Sequence, residues 1–119
     1  MGKTILAIDD SASMLDFYQA TLGDLGELRC FESLHDARGH FQNVDLIILD
    51  FNLENDAELI QEIVQELKPV APIIVCSGVQ DERVASFCLH LGVNDYWNKG
   101  SDYPALLAKV RRLLAERTV

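Results

Sequence analysis

The sequence predicts one doubly wound α/β domain, five βα units around a parallel sheet, and three observations lead there. Short β-like runs alternate with helically spaced segments along all 119 residues. The run at 44–49 is almost wholly apolar, as a central strand covered on both faces requires. Four runs deliver polar residues where they end: KTILAI before Asp9 and Asp10, VDLIIL before Asp50, PIIVC before Ser77 and NDYWN before Lys99. Strand ends of a parallel sheet share one edge, so these residues are expected to gather in one crevice.

The elements follow in order. A first strand at 3–8 leads to Ser11 and Ser13 as candidate N-caps and to a helix carrying Met14, Phe17, Tyr18, Thr21, Leu22 and Leu25, closed by Gly23 and Gly26. Glu27–Phe31 reads as a short second strand. Ser33 then caps a weak helix with Leu34, Ala37, Arg38 and Phe41, weakened further by Gly39. After the strand at 44–49, Leu59, Ile60, Ile63, Val64 and Leu67 form a helical stripe ended by Pro69 and Pro72. Ile73–Cys76 is the fourth strand, followed by a helix with Val84, Phe87, Cys88 and Leu91 that stops at Gly92. Residues 93–97 form the fifth strand. The last helix has Ser101 or Asp102 as cap, Pro104 in its first turn and a stripe of Leu106, Leu107, Val110, Leu113 and Leu114. Right-handed crossovers place helices on both faces.

Length and a 49% hydrophobic composition fit one globular domain over residues 1–119, with no room for a second. The net charge of −9 repels a phosphate backbone, and ten Lys and Arg residues form no long basic run, so direct nucleic-acid binding is not expected. Cys30, Cys76 and Cys88 lie in apolar stretches without CxxC spacing, as buried thiols of a reducing compartment do, and the expected location is the cytoplasm. No apolar run approaches the roughly 20 residues that span a bilayer. The N-terminus has no signal-peptide apolar region, and Leu6 breaks the myristoylation pattern, so no membrane association is expected.

Asp9, Asp10 and Asp50 supply the hard oxygen donors that Mg²⁺ prefers, and a dication relieves the repulsion of three carboxylates. Asp50, on the central strand, is best placed to attack phosphorus and become an aspartyl phosphate. Lys99 and the Ser77 hydroxyl would stabilise phosphoryl oxygens. Backbone N–H groups just after Asp50 and Ser77 would add donors, with Gly78 permitting close approach.

Together these residues resemble the receiver domain of two-component response regulators, over essentially the whole chain. ILAIDDS is similar to that family's first strand and acidic pair, LIILDFNL to its phosphoacceptor strand, IIVCSG to its Ser/Thr strand and LGVNDYWNK to its segment ending in Lys. The resemblance implies a flavodoxin-like (βα)5 fold with strand order 2-1-3-4-5. It implies Asp50 as the phosphorylated residue, Asp10 and Asp50 as direct Mg²⁺ ligands, Asp9 acting mainly through water and Asn52 lending its backbone carbonyl. Ser77 becomes the switch hydroxyl, Lys99 the phosphate-binding cation and Tyr96 the aromatic that reports phosphorylation to a partner-binding face. The implied partners are a histidine kinase or histidine phosphotransfer protein upstream and a protein partner or effector domain downstream. Such a chain phosphorylates and dephosphorylates itself at Asp50 rather than turning over an external substrate.

The sequence departs from that pattern at two places. ENDAEL follows Leu53 without the usual Pro and Gly, in a loop that looks slightly short, and Gly100 stands where the family has Pro after the Lys, so the customary cis peptide there loses its usual cause. These departures motivate an alternative, a phosphorylation-independent receiver-like interaction module. A haloacid-dehalogenase-type phosphatase would require an Asp where Asn52 stands. A flavodoxin-like electron carrier would require a hydroxyl- and glycine-rich loop in place of DDSAS. Taken singly, the acidic pair reads as a loop and an N-cap, Ser77 as a turn residue, Lys99 as a strand end and Tyr96 as a core aromatic. His35, His40 and His90 lack metal-pair spacing, and Cys76 reads as strand core.

Overall fold

A computed structural model describes residues 2–53, 59–78 and 81–116. Its elements alternate as β1 (Lys3–Ile8), α1 (Ala12–Leu22), β2 (Gly26–Phe31), α2 (Leu34–Ala37), β3 (Leu46–Asp50), α3 (Ile60–Leu67), β4 (Ile73–Ser77), α4 (Glu82–His90), β5 (Asp95–Asn98) and α5 (Tyr103–Glu116). All strands are parallel, and the sheet runs β2-β1-β3-β4-β5. β1 and β3 are thus interior, and every residue of β3 is buried.

Strand alternation divides the core into two halves. Leu6, Ile8, Ile47, Leu49, Ile73 and Val75 pack with residues of α2, α3 and α4. Ile5, Ala7, Leu46, Ile48, Ile74, Cys76 and Trp97 pack with Leu15, Tyr18 and Leu22 of α1 and Leu106, Val110, Leu113 and Leu114 of α5. The sheet is therefore covered on both faces, as continuous apolar strands require. Each fully buried Leu, Ile or Val side chain contributes about 1.5–3 kcal/mol relative to exposure.

Several boundaries differ from those the sequence suggests. Ser11 alone caps α1, accepting from Met14 N–H at 3.3 Å, while Ser13 lies inside the helix and shares a 3.0 Å hydrogen bond with Ser11 Oγ. Gly26 does not close that helix but opens β2, where a Cβ would collide with the Lys3 carbonyl oxygen at 2.4 Å. α2 is a single turn capped by Ser33. Arg38 is already extended and Gly39 has φ +90°, which leaves Phe41 outside the helix. Strands β3 and β4 each run one residue further than their apolar stretches, so Asp50 and Ser77 are themselves strand residues. β5 starts two residues late because Gly92 (φ +101°) turns the chain and Asn94 Oδ1 accepts the Ile73 N–H at 3.0 Å. Phe87 is exposed on α4, whereas its neighbour Cys88 is buried. Glu54–Glu58, most of the unusual ENDAEL segment, lie outside the described residues.

Candidate functional site

The C-terminal ends of β1, β3, β4 and β5 bring the polar strand-end residues to one edge. Parity decides which of them meet. Asp9 continues the Ile5–Ala7 row, Asp50 the Leu46–Ile48 row and Lys99 the row of Trp97, all facing the α1/α5 half of the core. Ser77 continues the Ile73–Val75 row and faces the opposite half.

Lys99 Nζ lies 2.8 Å from Asp9 Oδ2 and 3.1 Å from Asp50 Oδ1, with side-chain exposures of 17%, 1% and 6% respectively. Asp9 is further fixed by the Ser11 N–H to its Oδ1 at 3.0 Å and by the Tyr18 hydroxyl to its Oδ2 at 3.4 Å. Asp50 Oδ1 also accepts the Asn52 N–H at 3.2 Å. One carboxylate oxygen from each of Asp9, Asp10 and Asp50 lies within 4.8 Å of the other two. Asp10 is half-buried, while Asp9 is fully buried.

This crowding alters the acids and bases. Burial, reinforced by the Asp9 charge, pushes the Asp50 carboxyl up to about 6 against the opposing pull of Lys99. Burial acts to lower the Lys99 ammonium, but hydrogen bonding to Asp9 and the charge of Asp50 outweigh it and hold the group above its ordinary value. Burial raises Tyr18 strongly, assisted by neighbouring Cys76, so its phenol stays protonated and donates. Burial pushes the Cys76 thiol up to about 12, in keeping with a core residue rather than a nucleophile. Three carboxylates held together, all hard oxygen donors, suit a divalent cation.

One expected donor is absent. The Phe51 N–H, immediately after Asp50, donates to the Cys76 carbonyl at 2.8 Å and is committed to the β3–β4 ladder. Gly78 is exposed, and a Cβ there would meet nothing within 4 Å. Tyr96 is half-buried against the α2/α3/α4 half of the core, and Asn52 is exposed beside Asp50. No peptide bond among the described residues is cis, so Lys99–Gly100 is trans.

Two residues of the site escaped sequence reasoning. Tyr18 was read only as part of the α1 stripe, although it is the one aromatic with a polar tip among that helix's buried residues. Asn98, the last residue of β5, accepts the Gly100 N–H at 2.8 Å through its side-chain oxygen, a turn that N-x-G spacing could have signalled. Among the described residues no helix is long and apolar enough to cross a membrane.

Known proteins resemble this chain in sequence and in fold. The chain is 26% identical over 115 residues to the transcriptional regulatory protein VxrB of Vibrio cholerae, a match covering 94% of this chain but 46% of that protein. It thus spans about half the length of that relative. Among solved structures, the BeF3-activated DrrB receiver domain superposes with a TM-score of 0.82 at 24% identity, covering 97% of this chain and 99% of that one. A Burkholderia pseudomallei response regulator carrying a phosphorylated aspartic acid, calcium ion and citrate superposes with a TM-score of 0.76 at 22% identity, covering 98% and 73%. The family model for the response regulator receiver domain matches residues 5–111. That match runs from within the first strand into the last helix and takes in the acidic edge of the sheet, so the chain belongs to the response regulator receiver domain family.

Proposed function

We propose that residues 1–119 act as one phosphorylation switch in which Asp50 accepts a phosphoryl group from a histidine kinase or histidine phosphotransfer protein. The observation that carries this reading is Lys99 bridging Asp9 and Asp50 at the edge of the sheet. Lys99 Nζ and the Asn52 N–H both donate to Asp50 Oδ1, and Oδ2 is the oxygen proposed to meet the phosphorus. In the transfer an Asp50 oxygen forms a P–O bond, the donor's P–N bond breaks, and the imidazole leaves with the electron pair and takes up a proton. Lys99 then binds a phosphoryl oxygen while remaining paired with Asp9.

The donor set fits Mg²⁺, which Asp9, Asp10, Asp50 and the Asn52 carbonyl would hold, Asp10 and Asp50 directly and Asp9 mainly through water. When bound, the ion neutralises the charge of the phosphoryl group. Ser77, buried at the end of β4, serves as the switch hydroxyl, and Tyr96, which pairs with Val75 two residues earlier on that strand, carries the change to the α4–β5–α5 face, where a protein partner or an effector domain responds. The phosphoryl bond is later hydrolysed by the same site, so the chain is a switch rather than an enzyme with an external substrate. The structural likeness to a phosphorylated-aspartate regulator supports this reading.

Intact-mass spectrometry after treatment with acetyl phosphate and Mg²⁺ tests it. Wild type is expected to gain one phosphoryl group and Asp50→Asn none; a covalent adduct on Asp50→Asn would assign the nucleophile elsewhere. An unchanged wild-type mass with unchanged Trp97 fluorescence would identify the phosphorylation-independent interaction module instead.

A further inference from the structure

A lysine's flexible stem does not by itself fix where its ammonium sits, so the backbone around Lys99 must aim it. On the strand side the Lys99 N–H donates to the Ser77 carbonyl at 2.8 Å. On the loop side Asn98 supplies the constraints. Its Oδ1 accepts the Gly100 N–H at 2.8 Å, and its main-chain carbonyl accepts both the Ser101 N–H at 3.0 Å and the Ser101 hydroxyl. The Trp97 indole N–H reaches the Asp102 carbonyl at 3.2 Å, closing the same loop from one residue earlier. A Cβ on Gly100 would stand 3.2 Å from Asn98 Oδ1, tighter than ordinary contact, so glycine is what lets this amide approach.

We propose that Asn98 is a positioning residue for Lys99: its side-chain oxygen, by holding the Gly100 N–H, fixes the peptide groups on either side of Lys99 and aims the ammonium between Asp9 and Asp50. The inference rests on Lys99 being the phosphoryl-binding cation. It also explains Gly100, because a proline there would have no N–H to give to Asn98. Asn98 and Gly100 are thus a matched pair, and the hold on Lys99 comes from an Asx turn.

The test uses the full chain with Mg²⁺ and beryllofluoride, a phosphoryl analogue, titrated through the fluorescence of Trp97, the single tryptophan. Asn98→Ala is expected to weaken beryllofluoride binding about 3- to 10-fold, the range for one lost hydrogen bond, and to lower the thermal midpoint by only a few degrees. Asn98→Asp, which keeps the acceptor, is expected to restore most of the affinity, and Gly100→Ala, whose Cβ presses on Asn98 Oδ1, to lose part of it. An Asn98→Ala variant that binds like wild type, or equal losses in Asn98→Ala and Asn98→Asp, would overturn the positioning role while leaving the phosphorylation reading standing. A wild type that binds no beryllofluoride and gains no phosphoryl group would overturn both.

Discussion

Lys99 Nζ sits closer to Asp9 Oδ2, at 2.8 Å, than to Asp50 Oδ1, at 3.1 Å. The shorter bond goes to the carboxylate that is not the proposed phosphoacceptor, so the cation keeps an anchor when Asp50 changes its chemistry. Removing that cation strands two nearly buried acids. Lys99→Ala is expected to destabilise the metal-free protein by about 3 kcal/mol, the scale for breaking a buried ion pair, and Mg²⁺ should restore much of the loss. Urea unfolding with and without Mg²⁺ checks this; equal losses in both conditions would contradict the shared-charge account.

Asp50 gives a pH dependence of defined sign. Its carboxyl lies at about 6 in the fold against an ordinary 3.8, so the folded state prefers the protonated form. That contribution to stability is present below the ordinary value and is lost as pH rises through about 6. A shift of this size corresponds to about 3 kcal/mol. Without divalent cations, Asp50→Asn should gain stability relative to wild type as pH rises from about 4 to about 7, by up to that amount. Parallel pH profiles of the two proteins would refute it.

Tyr18 separates packing from polarity. Tyr18→Phe keeps the buried ring but loses the 3.4 Å donor to Asp9, so stability should change by less than about 1 kcal/mol. With one donor fewer, Asp9 carries more uncompensated charge, and Mg²⁺ should bind about 2- to 3-fold more tightly by calorimetry. Tyr18→Ala instead opens a cavity between α1 and the sheet and should cost about 3–5 kcal/mol.

Asp95 ties β5 to α5 through Lys109 at 2.9 Å and Arg112 at 2.9 Å. Both cations are partly exposed, so Asp95→Ala should cost only about 1 kcal/mol, and the difference should shrink in molar salt. A loss that salt leaves unchanged would point to the Asp95 hydrogen bond with its neighbouring Tyr96 N–H as the larger effect.

Gly92 carries φ +101°, and a Cβ there would lie 2.6 Å from Lys68 Nζ. Gly92→Ala should therefore destabilise by about 1–2 kcal/mol, mostly from backbone strain, since the lysine end can swing aside. Adding Lys68→Ala should recover little, which thermal unfolding of the double variant measures.

The strand-end rule made most of the site legible, because polar residues closing apolar runs have few places to go in a parallel sheet. Asp9, Asp50 and Lys99 converge as that rule implies, and Ser77 reaches the same edge. What the linear pattern could not carry was direction. Tyr18 matched a core stripe by spacing, yet its hydroxyl turns back to Asp9 across nine positions of chain. The Phe51 N–H looked available, but the ladder with Cys76 consumes it. The start of β5 was misplaced because a positive-φ glycine and an asparagine side chain, rather than apolar spacing, decide where pairing begins.

The two-sided core makes adjacent residues of β4 answer to different halves of the molecule. Cys76 lies beside Tyr18 under the acidic cluster, while Ser77 looks across to the helices of the other face. A one-residue insertion upstream in this strand would put the Cys76 thiol in the place of the Ser77 hydroxyl, and a one-residue deletion would instead carry that hydroxyl into the oily layer beneath Asp9. Either frame-shifted chain keeps its charges yet loses the proposed switch hydroxyl from its face, so the length of β4 matters as much as its composition.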